Sequence, residues 1–388
     1  MKFSEYTYYE VLNNKITTYK RRYRGSCSKT ALKLILWNFK SLITFPNKLP
    51  KFDDEKQHIM LKLAGGVGDL CATAKYIKAL YEYLDKQAEF DIFAVPEDVE
   101  ILTTIFYGCE YINSITSQKP MYRYDIEIFI VRFPEVRSCI RSRLSDKALR
   151  YIEEVIDFTY ENTDVVKNDF VGCCFSLIKG TKRENQADFN NMLKMENVDF
   201  SINLCEDSGT YLHKLKLSEK QYITVQTGPG RHFQHLGFDV RQWPEEYYEH
   251  LLYLLKQKYP DYKIVQLGDI NQQKIAGIDI DLRGKTSSQE LFMLLKYSKL
   301  HIAQESGMVI ARHFLQGGVS VVLFGPTDMN FFGFDENLNL SESLCGQPCE
   351  WITKKWMEKC IRTGGKAECM QLLTPINVFD EVNKKGIL

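Results

Sequence analysis

Ala64-Gly65-Gly66-Val67-Gly68-Asp69 follows the apolar run Ile59-Met60-Leu61-Lys62-Leu63 and opens into Leu70-Cys71-Ala72-Thr73-Ala74-Lys75-Tyr76-Ile77. This order predicts a buried strand, a turn carrying three glycines, and a helix beginning at Asp69. Glycine admits left-handed backbone angles and lets another molecule approach the main chain closely. An acidic side chain where a helix begins caps its free N–H groups, and it can equally point a carboxylate into the crevice above the strand ends. Both readings of Asp69 stand on these residues.

Working outward, the chain alternates. Residues 90–95 read as a strand closed by Pro96, 97–107 as a helix, and 111–115 and 126–133 as extended runs. Helices are expected over 145–161 and near 184–195, with a polar stretch containing Cys173-Cys174 between them. Strand-turn-helix logic restarts at Tyr222: a strand to Gln226, the turn Thr227-Gly228-Pro229-Gly230, and a helix entered through Arg241-Gln242-Trp243-Pro244 with proline in its first turn. Strands follow over 263–267, ending in Gly268-Asp269, and over 280–282, before Arg283-Gly284-Lys285-Thr286-Ser287-Ser288 and a helix capped by Ser287 or Ser288. Residues 300–303 form a strand that meets Glu305-Ser306-Gly307-Met308 and a helix, and 319–324 is the last clear strand. Near-continuous apolar strands alternating with helices imply α/β halves with parallel sheets covered on both faces. In such sheets a ligand sits beyond the carboxyl ends of the strands.

Lys+Arg and Asp+Glu both number 50 in the 388 residues, so the net charge of zero gives no argument for a nucleic-acid partner. No run reaches the roughly 18 apolar residues of a membrane-spanning helix, and Met1-Lys2-Phe3-Ser4-Glu5-Tyr6 has no signal-peptide pattern, so a cytoplasmic protein is expected. The stretch from Lys15 to Lys48 holds nine basic residues and no acidic one, with Leu32, Ile35, Leu36, Phe39, Leu42 and Ile43 at helical spacing. Either it lies peripherally on an anionic inner-membrane surface, or it is a helix docked on its own domain. Seven of the eleven cysteines (Cys27, Cys71, Cys109, Cys139, Cys173, Cys174 and Cys205) are scattered and read as buried free thiols. Cys345, Cys349, Cys360 and Cys369 crowd into one stretch at spacings of three, ten and eight intervening residues. Four thiolates so close can hold zinc or iron tetrahedrally, with disulfides as the alternative.

In the second half, Glu305-Ser306-Gly307 ends a strand and starts a helix, so its N–H groups and positive dipole end suit an anion. Thr227 and Gly228 offer the same from a neighbouring loop, and Arg241 and Lys285 supply charge for a diphosphate. Each has a plain alternative: Arg241 pairing with an acidic surface neighbour, Lys285 a solvated loop residue, Ser306 a helix cap. A dinucleotide fingerprint is not met, since Cys71 stands where its third glycine belongs and Asp91 sits near the start of its strand.

Gly65-Gly66-Val67-Gly68-Asp69 with Ala72-Thr73 resembles the opening motif of the ADP-heptose glycosyltransferases, glycosyltransferase family 9. The second half is similar at Thr227-Gly228-Pro229, Arg241-Gln242-Trp243-Pro244, Leu282-Arg283-Gly284-Lys285-Thr286-Ser287, Glu305-Ser306-Gly307-Met308 and Phe324-Gly325-Pro326-Thr327-Asp328, covering about residues 58–380. The resemblance implies a GT-B fold: two Rossmann-like domains facing across a cleft, and a C-terminal helix crossing back to the first. It divides the chain into the basic extension 1–57, an acceptor domain 58–215, a nucleotide-sugar domain 216–375 with the cysteine-rich tail, and a terminal helix 376–388. It implies an inverting transferase with no cofactor for its chemistry, a nucleotide-sugar donor of the ADP-heptose kind, and a glycan, glycolipid or protein acceptor. Asp69 takes the place of the general base. Gly66, Gly68, Thr227, Gly228, Arg241, Asp269, Lys285, Glu305, Ser306, Gly307 and Met308 fall in the substrate-binding motifs. Glu305 stands where relatives carry an aspartate, and Ile310 where they carry a histidine. The cysteine tail, with Trp351 after the second cysteine and Glu368-Cys369-Met370 near its end, resembles the iron-binding finger of the autotransporter heptosyltransferases. The expected function is transfer of a heptose-type sugar to a surface glycan or lipopolysaccharide. Modification of an autotransporter protein and a non-catalytic nucleotide-sugar scaffold are the alternatives.

Overall fold

A computed structural model describes residues 55–118, 122–131, 133–161, 185–188, 193, 195–205, 208–228, 240–346, 348–352, 356 and 358–388. The basic segment 15–48, Cys27, Cys173-Cys174, the loop 229–239 and most of 184–195 lie outside the described residues.

The first half runs β1 (Gln57–Leu63), α1 (Val67–Tyr83), β2 (Ala88–Phe93), α2 (Pro96–Ile105), β3 (Ile112–Thr116), β4 (Ile126–Ile130), β5 (Pro134–Cys139) and α3 (Asp146–Glu161). Its sheet has the order β3-β2-β1-β4-β5. β1 is parallel to β2 and β4, and β2 to β3, whereas β5 returns antiparallel to β4. The sequence reading ran one extended stretch through 126–133. The strand instead ends at Ile130, and Pro134 begins a hairpin strand paired with it.

Two covered faces were expected of this sheet; among the described residues only one is packed by helices. Ile59, Leu61, Leu63, Ile126, Ile128 and Ile130 are buried in the core with α1 and α3, whose Tyr76 and Tyr151 hydroxyls meet at 2.6 Å. The alternate residues Lys62, Phe93, Phe129 and Arg137 cluster by cation–ring contacts, with Lys62 exposed. Strict alternation marks a sheet with one apolar face.

The second half holds α4 (Ser208–Lys214), β6 (Tyr222–Gln226), α5 (Glu245–Lys258), β7 (Lys263–Leu267), β8 (Ile280–Asp281), α6 (Ser288–Tyr297), β9 (Leu300–Gln304), α7 (Gly307–Phe314), β10 (Ser320–Phe324), α8 (Met329–Phe332), β11 (Leu338–Ser341), α9 (Cys349–Ile352), α10 (Glu368–Leu372) and α11 (Pro375–Lys384). Its six strands lie in the order β11-β10-β9-β6-β7-β8, all parallel. Every residue of β6, β9 and β10 is buried, as a parallel sheet covered on both faces requires. Local signals explain the helix starts. Pro244 precedes α5, and Ser287 and Glu290 form a reciprocal capping box on α6.

Both sheets wind outward from their first strand, so their topological switch points fall between β1 and β4 and between β6 and β9. One apolar core runs from the first half into α6 and α7, taking in Phe292, Ile310 and Phe314. Residues 185–188 form a turn where a helix was expected, and they staple the halves together. Lys75 of α1 pairs with Asp188 at 3.0 Å, while Asn185 Nδ2 donates to the Gly333 carbonyl at 2.8 Å. The terminal helix corrects another expectation. α11 packs on α5 of its own half through Val378 and Val382, and Asn383 accepts from Lys258 and Tyr259. Among the described residues no helix is long and apolar enough to cross a membrane.

Candidate active site

The chain leaves β1 through Gly65, whose φ of 142° is open to glycine, and enters α1 with Gly66 as N-cap. The helix therefore begins two residues before Asp69. Asp69 is not the N-cap. It occupies the third helical position, and its Oδ2 accepts from the Gly66 N–H at 3.0 Å. Oδ1 has no hydrogen bond among the described residues, and the side chain is half-buried.

In the second half β9 passes directly into α7. Ser306 is its N-cap residue, yet its hydroxyl does not cap the helix; it donates to Gln226 Oε1 at 2.9 Å, at the end of β6. Beside it Glu305 pairs with Arg241 at 3.2 Å, the two side chains being 10% and 12% exposed. Arg241 is thus paired, but with a nearly buried candidate site residue rather than with an acidic surface neighbour. Thr227 is buried, its Oγ1 accepting from Gln266 Nε2 at 3.3 Å. Gly228 and Gly268 lie under the Gln272 side chain, which fills the space a Cβ would need at either position.

These two helix starts meet. A Cβ on Gly68 would lie 3.1 Å from the Gly307 Cα, and one on Gly307 would lie 2.8 Å from the Gly68 nitrogen. Ile310 rests on Gly68 in the same contact. Gly68 therefore permits the close packing of the two helix starts. Each helix N-terminus carries roughly half a positive charge, so two of them converge at one point from opposite halves. Asp69 and Ser306 are the chain neighbours of that glycine pair, and the N–H groups of Val67, Gly68, Gly307 and Met308 have no acceptor among the described residues. An anion is the natural occupant of such a place.

Asp269 and Lys285 stand elsewhere, at the carboxyl ends of β7 and β8. Asp269 Oδ1 accepts from the Asn271 backbone N–H and side-chain amide, and the exposed Lys285 ammonium donates to the Asp281 carbonyl at 3.0 Å. Arg283 grips Asp281 with two bonds of 2.8 Å, and that arginine holds the Asp281 carboxyl down at about 2. Asp91 accepts from Asn113, Ser114 and Tyr124 within the first sheet, which removes it from any dinucleotide role.

Two contacts were not foreseen. Gln226 and Gln304 close the strands β6 and β9, and both are buried. An amide ending each of two otherwise apolar strands, directly before Thr227 and Glu305, was the available signal. Glu100 of α2 reaches across to α6, its carboxylate accepting from the Ser288 N–H at 2.6 Å. Nothing local in the sequence marks that partner.

Cys345, Cys349, Cys360 and Cys369 line one small cavity of about 10 Å³, together with Val240, Gly325 and Trp356. All four are free thiols, and among the described residues no three Cys, His, Asp or Glu groups are drawn together closely enough to hold an ion. Burial and the neighbouring Cys345 push the Cys349 thiol up to about 12. Burial opposes ionisation of Cys360 as well, but N–H groups of Glu368, Thr363 and Arg362 outweigh it and hold that thiol below its usual value.

No protein-family model matches the chain. No curated protein matches it either. Solved structures do. ADP-heptose lipopolysaccharide heptosyltransferase II of E. coli matches at 13% identity and TM-score 0.50, over 84% of this chain and 98% of that one. A family 9 glycosyltransferase of Veillonella parvula matches at 14% and 0.52, over 86% and 98%. The iron-containing dodecameric glycosyltransferase TibC of enterotoxigenic E. coli matches at 14% and 0.55, over 87% and 76%. With two doubly wound halves meeting at their switch points, the chain has the GT-B fold and resembles the family 9 glycosyltransferases.

Proposed function

We propose that this protein is an inverting glycosyltransferase. It moves a heptose-type sugar from a nucleoside-diphosphate donor to an acceptor hydroxyl of a surface glycan or lipopolysaccharide. The observation that carries the reading is the convergence of the α1 and α7 N-termini at Gly68 and Gly307, with a carboxylate on one side and a nucleotide-type sheet edge on the other. Asp69 Oδ1 takes the proton of the acceptor hydroxyl as its oxygen attacks the anomeric carbon. The bond from that carbon to the diphosphate breaks, and its electron pair goes to the departing β-phosphate oxygen. The N–H groups of Gly307 and Met308 and the α7 dipole stabilise the developing charge. Arg241 swings from Glu305 toward the diphosphate, leaving Glu305 for a sugar hydroxyl. The basic residues of 15–48 suit a lipid-linked acceptor at the inner-membrane surface.

Calorimetric titration with ADP-, GDP- and UDP-sugars tests the donor site. Saturation by one base class is expected, and absence of binding by all three would refute the proposal.

The alternative of a protein acceptor follows from the resemblance of the cysteine tail to the autotransporter heptosyltransferases, and four thiols around a single cavity, in a fold shared with TibC, which contains iron, support that resemblance. The cavity is about the size of one ion or water, and thiolate donors suit iron or zinc. On this reading binding of a structural ion draws Cys345, Cys349, Cys360 and Cys369 closer than they stand here and ties the tail loops together. Metal analysis of anaerobically purified protein is expected to give about one ion per chain, and less than about 0.2 would dispose of the site.

A further inference from the structure

The Ser306 hydroxyl has one proton, and the hydrogen bond to Gln226 uses it. Which way the Gln226 amide faces follows from its other neighbour. Its nitrogen lies 3.5 Å from the Gly228 carbonyl, an acceptor, so the oxygen must face Ser306. Gln226 is 4% exposed at the end of a strand whose residues are all buried, so the amide has little room to turn. Ser306 itself is half-buried at the mouth of α7.

We infer that Gln226 is a positioning residue: by taking the Ser306 proton it leaves Ser306 Oγ in the site as a hydrogen-bond acceptor, which selects a hydroxyl of the donor rather than an oxygen of its diphosphate. A diphosphate oxygen only accepts, and an oxygen whose proton is committed has nothing to give it. The diphosphate then rests on the backbone N–H groups of α7 and on Arg241, while Ser306 reads a hydroxyl of the ribose or of the transferred sugar. The inference deepens the proposed function and rests on its donor site.

Calorimetry with ADP and ADP-heptose on the full chain tests it, using Gln226→Leu, Ser306→Ala and the double variant, each first checked for an unchanged melting profile. Gln226→Leu is expected to weaken a hydroxyl-reading contact by about 3- to 10-fold, the worth of one neutral hydrogen bond. Because Gln226 acts through Ser306, adding Gln226→Leu to Ser306→Ala is expected to change affinity less than twofold further. A purely structural role for Gln226 would make the two losses multiply, and that result overturns the inference. If ADP-heptose weakens and ADP does not, the hydroxyl belongs to the sugar. If both weaken equally, 2′,3′-dideoxy-ADP decides: insensitivity assigns a ribose hydroxyl, and an equal loss assigns a phosphate oxygen and overturns the inference. Unchanged affinity in every variant overturns it too. If the wild-type chain binds none of these ligands, the donor site falls with it, whereas wild-type binding with insensitive variants removes the role of Gln226 alone.

Discussion

Replacing Gly307 by alanine places one methyl group where the two helix starts touch. Its carbon would lie 2.8 Å from the Gly68 nitrogen and 3.3 Å from Val67 Cβ. Non-bonded heavy atoms are comfortable at about 3.5 Å, so α1 and α7 must part by about 0.7 Å. The nearer obstacle is main chain and cannot rotate aside. Overpacking of this kind costs about 1–3 kcal/mol, offset by at most about 1 kcal/mol from the better helix propensity of alanine. A net loss of about 1–2 kcal/mol is expected, lowering the melting temperature of a chain of this size by about 1–3 °C and donor-nucleotide affinity by about 5- to 30-fold. Thermal unfolding and calorimetry measure both. Gly68→Ala supplies the internal control, because its methyl meets the flexible end of Ile310 as well as the Gly307 Cα. Shortening that side chain with Ile310→Val should recover part of the loss in Gly68→Ala and none in Gly307→Ala. A Gly307→Ala protein that melts and binds like the wild type would refute the packed-helix account of the site.

Asp69→Asn preserves the acceptor for Gly66 but removes the base. Transfer should fall by about 10²- to 10⁴-fold while nucleotide affinity stays within about twofold, and retained turnover would remove Asp69 from the mechanism. Glu100→Ala deletes the carboxylate that α2 lends to α6. Its exposed position limits the effect to about 1 kcal/mol or less at low ionic strength, so the change in melting temperature should vanish in 1 M salt, and a salt-independent change would mean the charge is not the cause. His301 is fully buried beside Arg312 and Thr224, and burial holds its pKa down at about 3. The unfolded chain therefore takes a proton near pH 6.5 that the folded chain refuses. Stability is complete above that pH and falls by about 1.4 kcal/mol per unit as pH drops from 6.5 toward 3. Urea unfolding across that range should show this component in the wild type and not in His301→Gln, and equal slopes would contradict it.

Sequence by itself determined most of the elements, because their causes lie within a few residues of one another. Apolar runs at 59–63, 223–226 and 320–324 set strands, Pro244 and the Ser287–Glu290 box set helix starts, and the glycines after β1 set the first turn. Period-two alternation in Ile126-Glu127-Ile128-Phe129-Ile130 also encoded the alternation of buried and half-buried residues along β4, a signal that the reading for near-continuous apolar strands passed over. Tertiary structure alone decided how those pieces met. Gly68 and Gly307 are far apart in the chain and touch only because both sheets bring a switch point to the same edge. Arg241 finds Glu305 across 64 positions and Ser306 finds Gln226 across 80, the latter because β6 and β9 lie side by side, a pairing no local pattern specifies. The four tail cysteines share a cavity despite spacings that match no common motif, since its lining is completed by Val240 and Gly325 from other parts of the second half. Hydrogen bonds along a helix depend on neighbours in sequence, whereas the direction of a proton on Ser306 depends on which strand lies beside it.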